Sequence, residues 1–422
     1  MRRSLAVMFF VGMVVLTSLW AQEAVTPAEL DRLNARVGEL YRQGQFEQAL
    51  PMAERAVVIA KTLYAEEHPH TATSLNAVSE LYREKSAYAQ AEPLMKRALA
   101  IREKALGPAH PDTATSLNTL AELYQVKGDY AQADPLLKRA LAIREKALGP
   151  AHPDTAESLN NLAELFWAKG AYAQAEPLYR RALTIRGKAL GPEHPDTAES
   201  LNNLAGLYWS KGDYTHAEPL YQRALSIYEK ALGPGHPDTA MSLNNLAGLY
   251  RCKGDYVQAE PLMKRALSIY EKALGPEHPD TAMSLNNLAA LYQAKGDYTQ
   301  AEPLIKRALA IWEKALGSEH PDTAMSLNNL AQLYQAKGDY AEAEPLMKRV
   351  LAIYEKALGP EHPDTAKSLS NLAALYWSKG DYGHAEPLMK RALAIWEKAL
   401  GPKHPDTAMS RSNLGALYQA KG

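Results

Sequence analysis

Nine histidines, each followed by proline, stand 42 residues apart: His68, His110, His152, His194, His236, His278, His320, His362 and His404. From His110 on, every copy continues Asp-Thr, so each offers an imidazole beside a carboxylate, groups that bind metals or move protons. A metal, however, needs three or four ligands around one point, and here each His is a whole copy away from the next. Ser-His-Asp sets can be assembled within any copy, yet nine equivalent catalytic centres have no mechanistic logic, and no Gly-x-Ser-x-Gly turn accompanies them. The sequence also lacks a glycine-rich phosphate loop, an HExxH helix and a basic-aromatic RNA surface. No catalytic residue, metal site, cofactor or small-molecule substrate is therefore expected, and the His-Pro stretches are read as structural loops of a protein that is not an enzyme.

Charge narrows the choice of partner. With 47 Lys plus Arg against 48 Asp plus Glu, no global field draws the chain to nucleic acid or to an anionic membrane. Cys252 is the single cysteine, which excludes an internal disulfide framework and a cysteine-rich zinc site; its thiol is either idle or reactive. The first residues differ from all that follow. Arg2 and Arg3 precede an apolar run from Leu5 to Leu16 and then "TSLWAQEA", the pattern of a secretory signal with Ala21 as the last residue removed. Leu5 to Trp20 supplies 16 mostly apolar residues, against the roughly 20 of a spanning helix, so an uncleaved anchor is the alternative. The expectation is an exported protein, periplasmic or secreted, or one held at the membrane by that segment. Removing residues 1–21 leaves 45 positive against 48 negative side chains.

The repeated unit must position whatever these side chains do. In the copy from Pro237 to His278, Leu243, Leu246, Ala247 and Tyr250 recur at steps of three and four, one face of a helix that Pro237 and Asp238 start and Lys253-Gly254 ends. Asp255 then caps a second helix, with Tyr256, Ala259, Leu262, Ala266, Ile269, Tyr270 and Ala273 on its apolar face and Pro261 bending it slightly. Two such helices cannot bury their faces alone, so units stack into an all-α solenoid. The register divides the chain into a signal (1–21), a divergent first repeat (22–68) with Thr26-Pro27 for His-Pro, eight 42-residue units (69–404) and a closing half repeat (405–422). In that half repeat Arg411 replaces the Leu of earlier units and Ser412 the Asn, as expected of an end cap with a wetted outer face.

The stretch "LNNLAGLYRCKGDYVQAEPLMKRAL", with Ala247, Tyr250, Gly254, Tyr256, Ala259 and Ala266 in place, resembles the tetratricopeptide repeat family. The period and the "LGPEHPDTA" linker are most similar to the repeats of kinesin light chains and their bacterial relatives. The resemblance spans residues 27–422 and implies a right-handed superhelix whose first helices line a concave, peptide-binding groove. An export signal stands where kinesin light chains carry a coiled coil, so a motor function is not implied. An alternative is the sensor or regulatory arm of a truncated or split enzyme, since similar arrays are fused to proteases or signalling ATPases. An architectural array without a defined ligand is a third reading.

Residues that hold a stack must repeat, whereas residues that meet a partner need not. Along the first helices one stripe varies. Its first position reads Thr73, Thr115, Glu157, Glu199, Met241, Met283, Met325, Lys367 and Met409. Its second reads Glu80, Glu122, Glu164, Gly206, Gly248, Ala290, Gln332, Ala374 and Ala416, and its third includes Arg83, Trp167, Trp209, Arg251 and Trp377. The candidate groove is thus acidic in the early units, with only Arg83 to offset it on this stripe, and apolar later. Free drift of solvated positions is the alternative, against which the tryptophans weigh because Trp is enriched at contact sites. Beside the stripe, Asn160-Asn161, Asn202-Asn203, Asn244-Asn245, Asn286-Asn287 and Asn328-Asn329 repeat as pairs. Asparagine is a mediocre helix former, so the pairs grip the backbone of an extended peptide, stiffen the stack, or divide the two roles. The expected partner is a protein or extended peptide.

Overall fold

The computed structural model describes residues 25–421, so the apolar leader and the reading placed on it lie outside the described residues. Among the described residues there are helices and no strands. The first helices of the units are α1 (Pro27–Arg42), α3 (Pro69–Glu84), α5 (Pro111–Val126), α7 (Pro153–Ala168), α9 (Pro195–Ser210), α11 (Pro237–Cys252), α13 (Pro279–Ala294), α15 (Pro321–Lys337), α17 (Pro363–Ser378) and α19 (Pro405–Lys421). Between them run the second helices, α2 (Phe46–Tyr64), α4 (Tyr88–Ala105), α6 (Tyr130–Ala147), α8 (Tyr172–Ala189), α10 (Tyr214–Ala231), α12 (Tyr256–Ala273), α14 (Tyr298–Ala315), α16 (Tyr340–Ala357) and α18 (Tyr382–Ala399).

The His-Pro-Asp-Thr phrase starts every first helix from α5 onward. His236 Nδ1 accepts the Asp238 backbone N–H at 3.2 Å, satisfying a donor that has no partner inside the helix. Pro237 fills the first helical position, and the Thr239 hydroxyl donates to the Gly233 carbonyl at 2.9 Å, closing the linker beneath the helix. At the other end Gly254 adopts φ +77°, and the Asp255 N–H returns to the Tyr250 carbonyl at 2.9 Å. Asp255 Oδ1 then accepts the Gln258 N–H at 3.2 Å and opens α12, which runs through Pro261 without a break.

Alanines of full burial, such as Ala247 and Ala259, let the paired helices approach closely, and Leu243, Leu249 and Met263 fill the space between. Each such Leu stabilises by about 2 kcal/mol relative to exposure. Carboxylate clamps fasten unit to unit. Glu260 of α12 takes Lys264 at 2.7 Å, Lys295 just after α13 at 2.6 Å and the Tyr292 hydroxyl of α13 at 3.1 Å, and these partners hold its carboxyl down at about 2. Glu92, Glu176 and Glu344 repeat the arrangement.

First helices of neighbouring units, such as α11 and α13, touch one another directly, which sets them on the inner, tightly curved side. The curvature brings the chain back on itself. The turn after α1 meets the start of α13: a Cβ on Gly44 would lie 2.7 Å from Pro279 Cδ. The turn after α3 receives His320, whose Nε2 stands 3.0 Å from both the Glu84 carbonyl and Ser86 Oγ. His362 likewise reaches the Val126 carbonyl at 3.0 Å, and His404 covers Gly170. These four contacts share one register, 234 residues, and form a seam between successive turns of the superhelix.

Candidate binding groove on the inner face

Four of the acidic stripe residues prove to be paired. Arg83 reaches Glu80 at 2.8 Å and Glu122 at 3.2 Å. The second helices contribute what the stripe alone did not reveal: Arg144 of α6 meets Glu157 at 3.2 Å, and Arg186 of α8 meets Glu199 at 3.2 Å. Arg83 is the stripe's own offset to the early acids, and these two arginines add to it from outside the stripe. Both arginines are nearly enclosed and also bond the first helix that follows, Arg144 through the Asp154 carbonyl at 2.8 Å and Ser158 Oγ at 3.1 Å. Glu164 remains without an ion-pair partner among the described residues; loss of bulk water along the inner wall, reinforced by Glu199, raises its carboxyl above the usual range. Desolvation within the concave wall raises Glu80, Glu122 and Glu199 too, although their side chains keep contact with solvent, against the pull of their arginines.

The arginine position explains part of the variation along the stripe. Thirteen residues before Glu157 and Glu199 stand Arg144 and Arg186, whereas before Met241, Met283 and Met325 stand Tyr228, Tyr270 and Trp312. Each acid here goes with arginine and each methionine with an aromatic, although Arg102 precedes Thr115 and Tyr354 precedes Lys367; Met325 packs against the cluster that holds Trp312. The first stripe position thus answers to a neighbour on the preceding helix as well as to the open face. The signal was present in the sequence, but the apolar periodicity of later units, which have Tyr or Trp there, hid it.

Trp167 and Trp209 line one recess of about 490 Å³, together with Glu164, Gly206, Met241, Asn203 and Asn245. Trp167 donates its indole N–H to Ser210 Oγ at 2.9 Å and is 38% exposed. Trp209 is half-buried and leans on the next unit, where a Cβ at Gly248 would meet its ring at 3.2 Å. The floor comes from two residues the stripe did not include, Tyr179 of α8 and Tyr221 of α10. Neighbouring units carry Leu137, Met263 or Ile305 there, so an extra hydroxyl in two adjacent units was the signal to find them. Burial pushes both phenols well up, so they remain neutral hydrogen-bonding groups. Gly206 leaves the space above Tyr221 open, its nearest neighbour for a Cβ being that hydroxyl at 3.5 Å.

The asparagine pairs divide. Asn160, Asn244 and Asn286 are buried and donate to Ser200, Ser284 and Ser326 of the following first helix, the last at 2.8 Å. Asn202 is buried as well, without a partner for either amide atom. The second members, Asn161, Asn203, Asn245 and Asn287, are half-buried along the inner side. Asn328 and Asn329 are both half-buried; Asn328 accepts from Asn371 at 2.9 Å, and the Asn329 carbonyl accepts from Gln293 at 3.1 Å. Arg251, Met241 and Met325 are half-buried and Met283 is exposed. Trp377 lies elsewhere, edge-on to Tyr382 in a smaller recess with Met389 and Ser410. Cys252 is exposed. No cluster of His, Cys, Asp and Glu fit for a metal occurs among the described residues, and no helix there is long and apolar enough to cross a membrane.

The family profile described as "Tetratricopeptide repeat" matches overlapping segments of the chain from 32–104 to 365–422. Among solved structures, the kinesin-light-chain-like protein of Podosopora anserina with nearly identical TPR-like repeats is 35% identical. That match covers 49% of this chain and 98% of the other, with a TM-score of 0.40. BtubC of P. vanneervenii is 26% identical over 56% of this chain and 92% of its own, with a TM-score of 0.43. A Signal Transduction ATPase with Numerous Domains from Pyrococcus horikoshii, carrying a tetratricopeptide repeat sensor, is 17% identical over 89% of this chain and 54% of its own, with a TM-score of 0.48. Curated proteins offer no match.

Proposed function

The chain belongs to the tetratricopeptide repeat family, a solenoid fold that generally serves as a non-catalytic scaffold for proteins and peptides, and we propose that its inner face holds an extended peptide. The recess between Trp167 and Trp209 carries this reading: its volume of about 490 Å³ falls in the range of ligand pockets, and aromatic walls surround a few polar groups. The occupant is an apolar or aromatic side chain, seated over Tyr179 and Tyr221 where Gly206 leaves room. A basic residue beside it faces Glu164, the stripe carboxylate without an ion-pair partner. Asn203 and Asn245 are free to meet the peptide backbone, while the buried Asn160, Asn244 and Asn286 serve the stack.

The leader supports an exported location, where such a scaffold would gather envelope or secreted proteins; mass spectrometry of the amino-terminus from fractionated cells tests that part alone. The groove is tested by screening an extended-peptide library against the native chain and against Gly206→Leu, which fills the recess from a helical position. Peptides enriched in an apolar residue next to Lys or Arg should be selected, and Gly206→Leu should weaken them at least about tenfold, or about 1.4 kcal/mol, with helicity unchanged. Equal binding by the filled variant would remove the recess from the proposal.

A further inference from the structure

The seam between turns uses two surfaces that every unit carries but that only four copies of each engage. On one side is the His-Pro start of a first helix, on the other the turn that ends a first helix 234 residues earlier. The engaged histidines are closed off, with side-chain exposures of 8, 9, 7 and 9% at His278, His320, His362 and His404. Their counterparts His110, His152, His194 and His236 remain 41, 40, 40 and 41% exposed. The turns divide in the same way. A Cβ at Gly44, Gly128 or Gly170 would come within 2.6–2.9 Å of the seated His or Pro ring, whereas at Gly212, Gly254, Gly296, Gly338 and Gly380 nothing lies within 4 Å. The backbone is nearly the same in both sets, since Gly128 and Gly254 have φ +71° and +77° and the exposed histidines cap their helices as the buried ones do. The Gly128-Asp129 turn shows that the Gly-Asp sequence of the vacant turns also accepts a His-Pro start.

We infer that the vacant halves of this seam join two copies of this chain head to tail, the late turns of one copy receiving the early His-Pro starts of the next. Shape complementarity is not at issue, because the same residues already mate within the chain. The imidazole presents Nε2–H to the turn's last carbonyl, as His320 and His362 do, and the proline ring lies over the glycine. The two vacant surfaces sit at opposite ends of the array and differ from each other, so the contact is heterologous. Such a contact does not close at two copies and adds further ones along the superhelical axis. The inference is independent of the groove, whose residues are on the inner side and take no part in the seam.

Sedimentation velocity of the native chain over a dilution series tests it, together with a triple variant, His110→Asp, His152→Asp and His194→Asp. Aspartate keeps the helix cap while replacing the ring by a short carboxylate at the positive end of the helix, and the intrachain seam is untouched. The native chain should give a concentration-dependent ladder of species beyond the dimer. The triple variant should associate at least about tenfold more weakly at the same melting temperature. Mixed with native chain, the variant keeps its receiving turns, so it should end chains and shorten the ladder in proportion to its share. A native chain that stays monomeric up to its solubility limit, one that stops at a dimer, or a ladder unchanged in the variant would each overturn the inference.

Discussion

His320 Nε2 meets the Ser86 hydroxyl and the Glu84 carbonyl at 3.0 Å, across 234 and 236 residues of chain. On the same ring Nδ1 accepts the Asp322 N–H at 3.1 Å, so both contacts are satisfied only by the neutral tautomer that carries its proton on Nε2. Ser86 holds φ +54° at a position where the other turns have glycine, and its hydroxyl faces the ring in the space a glycine would leave. One repeated residue thus has two structural duties, a helix cap in every unit and a seam contact in the late ones.

The paired glycines separate backbone strain from seam packing. In dilute, monomeric chain Ala at Gly254 meets nothing, so Gly254→Ala should cost only the left-handed penalty, about 1–2 kcal/mol. Ala at Gly128 meets Pro363 and His362 at 2.9–3.0 Å, and Gly128→Ala should cost roughly 1–3 kcal/mol more. Denaturant unfolding of the two variants side by side measures the difference; equal losses would mean that the turns do not touch in solution.

Acid should open the seam before it loosens the units. Burial holds the imidazoles of His278, His320, His362 and His404 below their ordinary value of 6.5, so the open seam binds protons that the closed one rejects. Closure is therefore fully favoured above about 6.5 and weakens as pH falls through the lowered values. Asp280 and Asp322, with Glu84 nearby, face the same seam; their carboxyls are raised by burial, so their protonation favours closure and opposes the histidines further down. The Glu260 clamp, held at about 2, stays ionised throughout. Small-angle scattering of dilute, monomeric chain should show a reversible rise in radius of gyration as pH falls below about 6.5, at constant helicity. Replacing His278, His320, His362 and His404 with Asn, which also caps, should abolish the change.

Arg144 and Glu157 should behave as one unit of chemistry. Arg144→Tyr alone strands Glu157 and removes the Arg144 donor from the Asp154 carbonyl and the Thr115 hydroxyl, whereas Arg144→Tyr with Glu157→Met reproduces the Tyr270 and Met283 pairing of a later unit. Thermal or denaturant unfolding in a double-mutant cycle should return a coupling of about 0.5–3 kcal/mol, with the double variant more stable than Arg144→Tyr. Additive losses would mean that the two positions vary independently.

Changing Trp167 and Trp209 together to Ala should weaken a peptide selected by the native chain by more than about 2 kcal/mol. Titration calorimetry reads this directly, and Trp377→Ala, in its separate recess, serves as the comparison that should leave affinity nearly unchanged. A loss at Trp377 equal to that of the pair would move the site along the array.

Almost everything local was legible in the sequence, because a 42-residue period repeats each cap, turn and apolar face in register. His236 in a structural loop, Pro237 at the helix start, Gly254 as a left-handed stop, Asp255 as the next cap and Tyr250 with Ala247 on the buried face all follow from spacing and residue type, which are properties of a few neighbouring residues. The capping role of the His236 ring, by contrast, came with the structure. What lay beyond it depends on curvature. The same His-Pro-Asp-Thr start is open at His152 and closed at His320, because that difference arises only when the accumulated rotation of the units returns one turn against another. The recess has the same origin: Tyr179 and Tyr221 rise through the gap at Gly206, and Arg144 reaches Glu157, because second helices project between first helices of neighbouring units. A stripe drawn on one helix cannot show a side chain that arrives from the next, and only the tertiary packing decided which of the repeated residues are spent on the stack and which face the open groove.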